Sequence, residues 1–198
     1  MQSIDDEIIV KIKKAKKGSL FFVEDFIKIG SGKSVAKALE RLVSSKVLTR
    51  VARGIYSLIA IDPFLGPLKP TTEYIALAIS KRDKARIMPT GILALNALGL
   101  STQVPMNVVY LTDGTGRKID LGKRKILFKK SSPKNLSTRG KISGLVIQAL
   151  KAIGKDKATA SEIEIILKHL SNEEPQRLEY DISLAPEWIR IIMRRALK

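Results

Sequence analysis

The sequence predicts an α+β fold: N-terminal helices closed by a short hairpin, then a mixed α/β segment that ends in helices. Three observations carry this. Apolar residues recur at helical spacing as far as Val43. Short runs rich in β-branched and aromatic residues, bounded by glycines, fill the middle of the chain. Amphipathic stripes return after Gly140.

The first helix is expected from Ile4 to Lys16, with Ile4, Ile8, Ile9 and Ile12 on one face. Leu20 to Ile29, with Phe21, Phe22, Phe26 and Ile27, reads as a second short helical segment, and Gly30 breaks it. Ser31 is a strong N-cap, because its hydroxyl can accept a hydrogen bond from a free amide of the first turn. Val35, Leu39, Leu42 and Val43 then form the apolar stripe of a third helix, whose opposite side carries Lys33, Ser34, Lys37, Glu40 and Arg41. Val47-Leu48 starts a strand, Arg53-Gly54 makes a turn, and Ile55-Tyr56 begins the return strand. Taken alone, the third helix is an ordinary amphipathic helix with a solvated lysine face. Three helices and a basic hairpin in this order give the outline of a winged helix-turn-helix over residues 1–60. On that reading Lys33, Ser34, Lys37 and Arg41 contact bases or phosphates from the recognition helix. Arg50 and Arg53 sit on the wing, and Tyr56 anchors the wing or touches a phosphate.

Residues 61–70 contain three prolines and a glycine, which predicts a linker or extended connection before a second domain over 71–198. Thr71 or Thr72 caps a helix from Glu73 to Lys81. A short strand at Ala85–Met88, a turn at Pro89-Thr90-Gly91 and a helix from Ile92 to Leu98 follow. Val108–Leu111 reads as a buried strand, and Lys118–Leu121 and Lys125–Lys129 as two strands around Gly122. Helices are expected from Gly140 to Ile153 and Ser161 to Leu170, and a last one begins at Pro186.

The 198 residues carry 36 basic and 19 acidic groups, a net charge of +17, which favours a polyanionic partner. The excess is +6 over residues 1–60, +9 over 61–140 and +2 over 141–198. Arg117, Lys118, Lys123, Arg124, Lys125, Lys129, Lys130 and Lys134 make a second candidate basic surface for nucleic acid or a toxin. A solvated sheet edge guarded by lysines is the equal alternative. Only Phe128 interleaves these charges, so base stacking on single strands is not indicated. There is no cysteine, which excludes disulfides, cysteine nucleophiles and cysteine zinc sites. The chain opens without a basic-then-apolar leader and has no apolar run near the ~20 residues that span a bilayer, so a soluble, intracellular protein without a membrane partner is expected.

One stretch carries a family resemblance. Pro89-Thr90-Gly91, Ala94-Leu95-Asn96-Ala97-Leu98-Gly99-Leu100-Ser101-Thr102-Gln103-Val104-Pro105 and Val109-Tyr110-Leu111-Thr112-Asp113-Gly114 resemble the AbiEi-type antitoxins of type IV toxin–antitoxin systems, in their shorter branch. Arg53-Gly54-Ile55-Tyr56 is similar too. The resemblance covers nearly the whole chain and weakens after Gly140. It implies an N-terminal winged helix that represses its own operon by binding double-stranded operator DNA. It also implies a C-terminal domain that opposes a nucleotidyltransferase-like toxin, commonly without a stable complex. A cytoplasmic, nucleoid-associated autorepressor and antitoxin is therefore expected. The alternatives are an antitoxin that blocks its toxin by contact, a winged-helix regulator with no toxin, and, third, a structural or RNA-binding role.

Catalysis is not expected, and neither is a cofactor or a metal. Gly32-Lys33-Ser34 precedes a helix, but the phosphate loop needs a glycine where Ile27 stands. Gly114-Thr115-Gly116-Arg117-Lys118 lacks that spacing as well. His169 is the only histidine and reads as a structural residue. Asp113 and Asp120 flank a turn, Glu162 and Glu164 point apart on a helix, and Glu173-Glu174 reads as a solvated loop. Asn96, Thr102 and Gln103 stabilise a loop by hydrogen bonds or line a site.

Overall fold

The structure, a computed structural model, describes residues 3–197 as a mixed α+β chain that ends in helices. The described residues fall into two compact units, one reaching to Ile79 and including 119–121, the other made of 80–118 and the residues from 122 onward.

In the first unit, α1 (Ile4–Lys13) starts at a capping box in which the Ser3 hydroxyl accepts the Asp6 amide and the Asp6 carboxylate accepts the Ser3 amide. It stops short of the expected Lys16. The helical segment expected over Leu20–Ile29 is instead β1 (Leu20–Phe22) and one 3-10 turn (Val23–Phe26). The reason is long-range: Phe21 and Phe22 are both buried, and β1 pairs antiparallel with β3 (Ile55–Ser57). The Asp25 carboxylate accepts the Phe22 amide at 2.8 Å and tightens the turn.

Between them lie α2 (Gly32–Ser44) and β2 (Thr49–Ala52). The sheet order is β1-β3-β2, antiparallel throughout. Ile8, Ile12, Phe26, Val35, Ala38, Leu39 and Leu42 pack into one core beneath it. Each large side chain removed from water there stabilises the unit by about 1.5–3 kcal/mol.

The proline-rich stretch is not a linker but a hairpin, β4 (Ala60–Asp62) and β5 (Gly66–Leu68). α3 (Thr72–Asp83) follows, capped by the Thr71 hydroxyl, which accepts the Tyr74 amide at 3.1 Å. The division between units falls inside α3, after Ile79, and not at the prolines.

The second unit holds β6 (Ile87–Pro89), α4 (Ile92–Ala97), β7 (Asn107–Thr112), β9 (Lys125–Lys130) and the first two residues of β8 (Arg117–Asp120). Sheet order is β6-β7-β9-β8; β6 and β7 run antiparallel, β7 and β9 parallel. Val108, Tyr110, Thr112, Ile126 and Phe128 alternate into the interior.

Four helices complete the unit: α5 (Lys141–Ile153), α6 (Ala160–Leu170), α7 (Pro175–Leu184) and α8 (Glu187–Arg194). Their apolar faces share a core of Val146, Leu150, Ile166, Leu170, Leu178, Ile189 and Met193. α7 is absent from the sequence expectation. Glu173, read as part of a solvated loop, accepts the Ile142 amide at 2.8 Å and the Ser143 amide at 3.2 Å, so it caps α5. Asp181, fully buried on α7, accepts the Arg139 and Gly140 amides at 2.8 Å and the Ser143 hydroxyl. No helix among the described residues is long and apolar enough to cross a membrane.

Candidate nucleic-acid interface

α2 is built as its sequence dictates. The Ser31 hydroxyl accepts the Ser34 amide at 3.2 Å and lies 2.8 Å from the Ser34 hydroxyl. Val35, Ala38, Leu39 and Leu42 face the core. Lys33, Lys37, Glu40 and Arg41 are left exposed, and Ser34 half-buried, on the other side. Lys33 and Lys37 make no ion pair among the described residues, so their ammonium groups are open to an external anion.

Arg41 is different. Its guanidinium clamps Asp5 of α1 with two parallel bonds, Nε at 2.8 Å and a terminal nitrogen at 2.5 Å. Hydrogen bonding by Arg41 holds the Asp5 carboxyl below its ordinary value. Arg41 therefore ties α1 to α2, and it reaches a phosphate only by sharing or releasing that carboxylate. Asp5 lies 36 positions away, too far for sequence spacing to reveal the pair.

The hairpin places Arg50 and Arg53 in solvent. Gly54 takes a positive φ of 73° at the turn, a conformation that favours glycine. The register shifts between Arg50 and Ala52, a local bulge that adds twist to the tip. Tyr56 is 3% exposed and packs into the core with Leu39 and Leu42, and burial raises its hydroxyl pKa. Of the two roles expected for it, this burial favours anchoring of the hairpin over contact with a phosphate.

The second basic surface also divides. Arg117 pairs with Asp83, and its guanidinium lies 5.7 Å from the centre of the Phe128 ring. Phe128 is buried and stacks on Tyr110 at 6.0 Å. Lys118, Lys123, Arg124, Lys129, Lys130 and Lys134 are exposed and Lys125 half-buried. β8 is the edge strand beside β9, and the basic residues are divided between the two ends of β9, Lys123, Arg124 and Lys125 at its start and Lys129, Lys130 and Lys134 at and beyond its finish.

The remaining candidates have structural partners. A ring nitrogen of His169 lies 3.0 Å from the Leu98 carbonyl. The Asn96 side-chain amide donates to the Gln103 carbonyl at 2.7 Å, and the Thr90 hydroxyl donates to the Val109 carbonyl at 3.2 Å. Asp113 accepts the Arg86 guanidinium at 2.8 Å and the Arg86 amide at 2.7 Å. Among the described residues no three His, Asp or Glu side chains cluster as metal ligands would.

The profile of a family of unknown function, DUF6088, matches residues 7–178, from α1 into α7. The chain belongs to DUF6088. No curated protein matches it. Among solved structures this DUF6088 protein is similar to the crystal structure of the RV2827C protein from Mycobacterium tuberculosis. The TM-score is 0.46 and the identity 13%, over 98% of this chain and 82% of that one.

Proposed function

We propose that this DUF6088 protein is a DNA-binding transcriptional autorepressor, and that it serves as the antitoxin of a type IV toxin–antitoxin pair. The observation that carries the first half is the first unit. Its α1, β1, α2, β2, β3 order and its β1-β3-β2 sheet support a winged-helix reading. The free cations Lys33 and Lys37 lie on α2, with Arg50 and Arg53 on the adjoining hairpin. On this reading α2 enters the major groove and the hairpin lies on the neighbouring backbone. The antitoxin half rests on the sequence resemblance between Pro89 and Gly114, and a nucleotidyltransferase-like toxin is the functional partner it implies.

The first half is tested by fluorescence anisotropy with DNA from upstream of the gene, against scrambled competitor. Selective binding is expected, with a steep salt dependence. Lys33→Ala with Lys37→Ala should weaken it and reduce the salt slope by about 1 for each phosphate no longer neutralised. Binding that ignores sequence, or that survives both changes, rejects the assignment. For the second half, co-expression with a neighbouring nucleotidyltransferase-like gene should restore growth; persistent toxicity rejects it.

A further inference from the structure

The β4–β5 hairpin presents the two most exposed large apolar residues of the described chain, Phe64 and Leu65, with Ile61 beside them. Phe64 is 96% exposed, Leu65 78% and Ile61 70%. Monomers rarely leave such residues together in water without a use for them. The hairpin turn is closed by its own hydrogen bonds. The Asp62 carboxylate accepts the Phe64 amide at 2.8 Å and the Leu65 amide at 2.9 Å, and Gly66 closes the loop at φ 73°. Neither strand pairs with any strand but its partner. An isolated two-stranded hairpin is marginal in water.

We propose that this hairpin is a dimerisation arm that grips a second copy of the same chain. Charge selects the occupant. From Gly54 to Leu68 there is no lysine or arginine and one acid, Asp62, in a chain of net charge +17. A nucleic acid needs cations that this arm lacks. Two copies repel each other wherever their lysines meet, and an arm without cations is where they approach at least cost. The area agrees with this. Ile61, Phe64, Leu65 and Leu68 expose on the order of 570 Å², taking about 200 Å² per fully exposed large side chain. That is about two thirds of the roughly 800 Å² that a standard interface takes from each partner. The register sets Ile61 opposite Pro67 and Leu68 opposite Ala60, on opposite faces of the ribbon, so a two-fold partner embraces the arm rather than lying on one side.

The test is sedimentation equilibrium of the full chain without DNA, up to 200 µM, in 0.1 and 0.5 M NaCl; leaving DNA out keeps the result independent of the repressor assignment. A monomer–dimer equilibrium is expected that tightens several-fold at the higher salt, because screening relieves the repulsion. Phe64→Asp with Leu65→Asp should leave a monomer with an unchanged melting temperature. Because the chain has no cysteine, Leu65→Cys gives a second readout, cross-linking to dimers with a bismaleimide while Lys155→Cys does not. A wild-type monomer at both salts, a dimer that persists in the double variant, or an arm that binds a co-expressed toxin in a monomeric chain overturns the proposal.

Discussion

At the residue scale, Asp181 has the largest structural consequence. Its buried carboxylate satisfies two amides and a hydroxyl where residues 139–143 turn into α5. Removing it leaves those donors buried and unpaired. Asp181→Ala is expected to cost roughly 3 kcal/mol, read from urea unfolding. A Cβ at Gly140 would overlap the Glu173 carboxylate that caps the same helix and the Ser143 hydroxyl, so those groups would have to shift from their bonds. Gly140→Ala should therefore act on the same helix start, and the two substitutions should combine less than additively. The acid limb has another origin. Arg41 and Arg86 hold Asp5 and Asp113 below their ordinary value of 3.8. Stability from these pairs is complete above that value and is lost as pH falls through the lowered one. Melting curves from pH 6 to 2.5 should flatten at the acid end in Arg86→Gln. None of these partners was legible in the sequence, because each lies far along the chain and a lone acid carries no spacing that marks it.

At the scale of elements, α2 was legible because its cap and its apolar stripe are local. β1 was not: Leu20–Phe22 becomes a strand only because β3 lies beside it, more than thirty positions on. α7 was missed because Asp181, a charged residue, occupies a core position and breaks the apolar stripe between Leu178 and Ile182. The prolines at 63 and 67 read as a break although they flank a hairpin turn. Lys33 and Lys37 were legible as cations on a free face; the clamp on Arg41 was not. A prediction follows from that clamp. Asp5→Ala frees the guanidinium, so DNA affinity in the anisotropy assay should rise a few-fold, whereas Lys37→Ala lowers it. Equal affinity in wild type and Asp5→Ala would mean that Arg41 stays off the DNA.

At the scale of the whole molecule, the chain combines two cores with one sign of charge. Leu39 is fully buried in the first core, and Leu39→Ala is expected to cost about 2–5 kcal/mol there. Hydrogen exchange should quicken over α1, α2 and the first sheet and stay unchanged in α5–α8; uniform quickening would mean a single cooperative unit. The charge acts on both cores together. A net +17 repels itself in the compact state, so melting temperature should rise with NaCl between 0.05 and 0.5 M. A fall over that range would mean that the surface ion pairs outweigh the repulsion. Composition made this charge plain, while the fold was needed to separate paired cations such as Arg41 and Arg86 from exposed ones such as Lys33 and Lys37.

The order of the second sheet sets a schedule for synthesis. β9 is the last of its strands to leave the ribosome, yet it lies between β7 and β8. Once the chain has emerged as far as Gly122, β6 can pair with β7, while β8 has no neighbour. Until Lys130 emerges, the buried face of β7 lacks the strand that covers its edge, and its apolar residues are open to other nascent chains. Slow translation across residues 113–130 would therefore lengthen the one interval in which this sheet is open to mispairing.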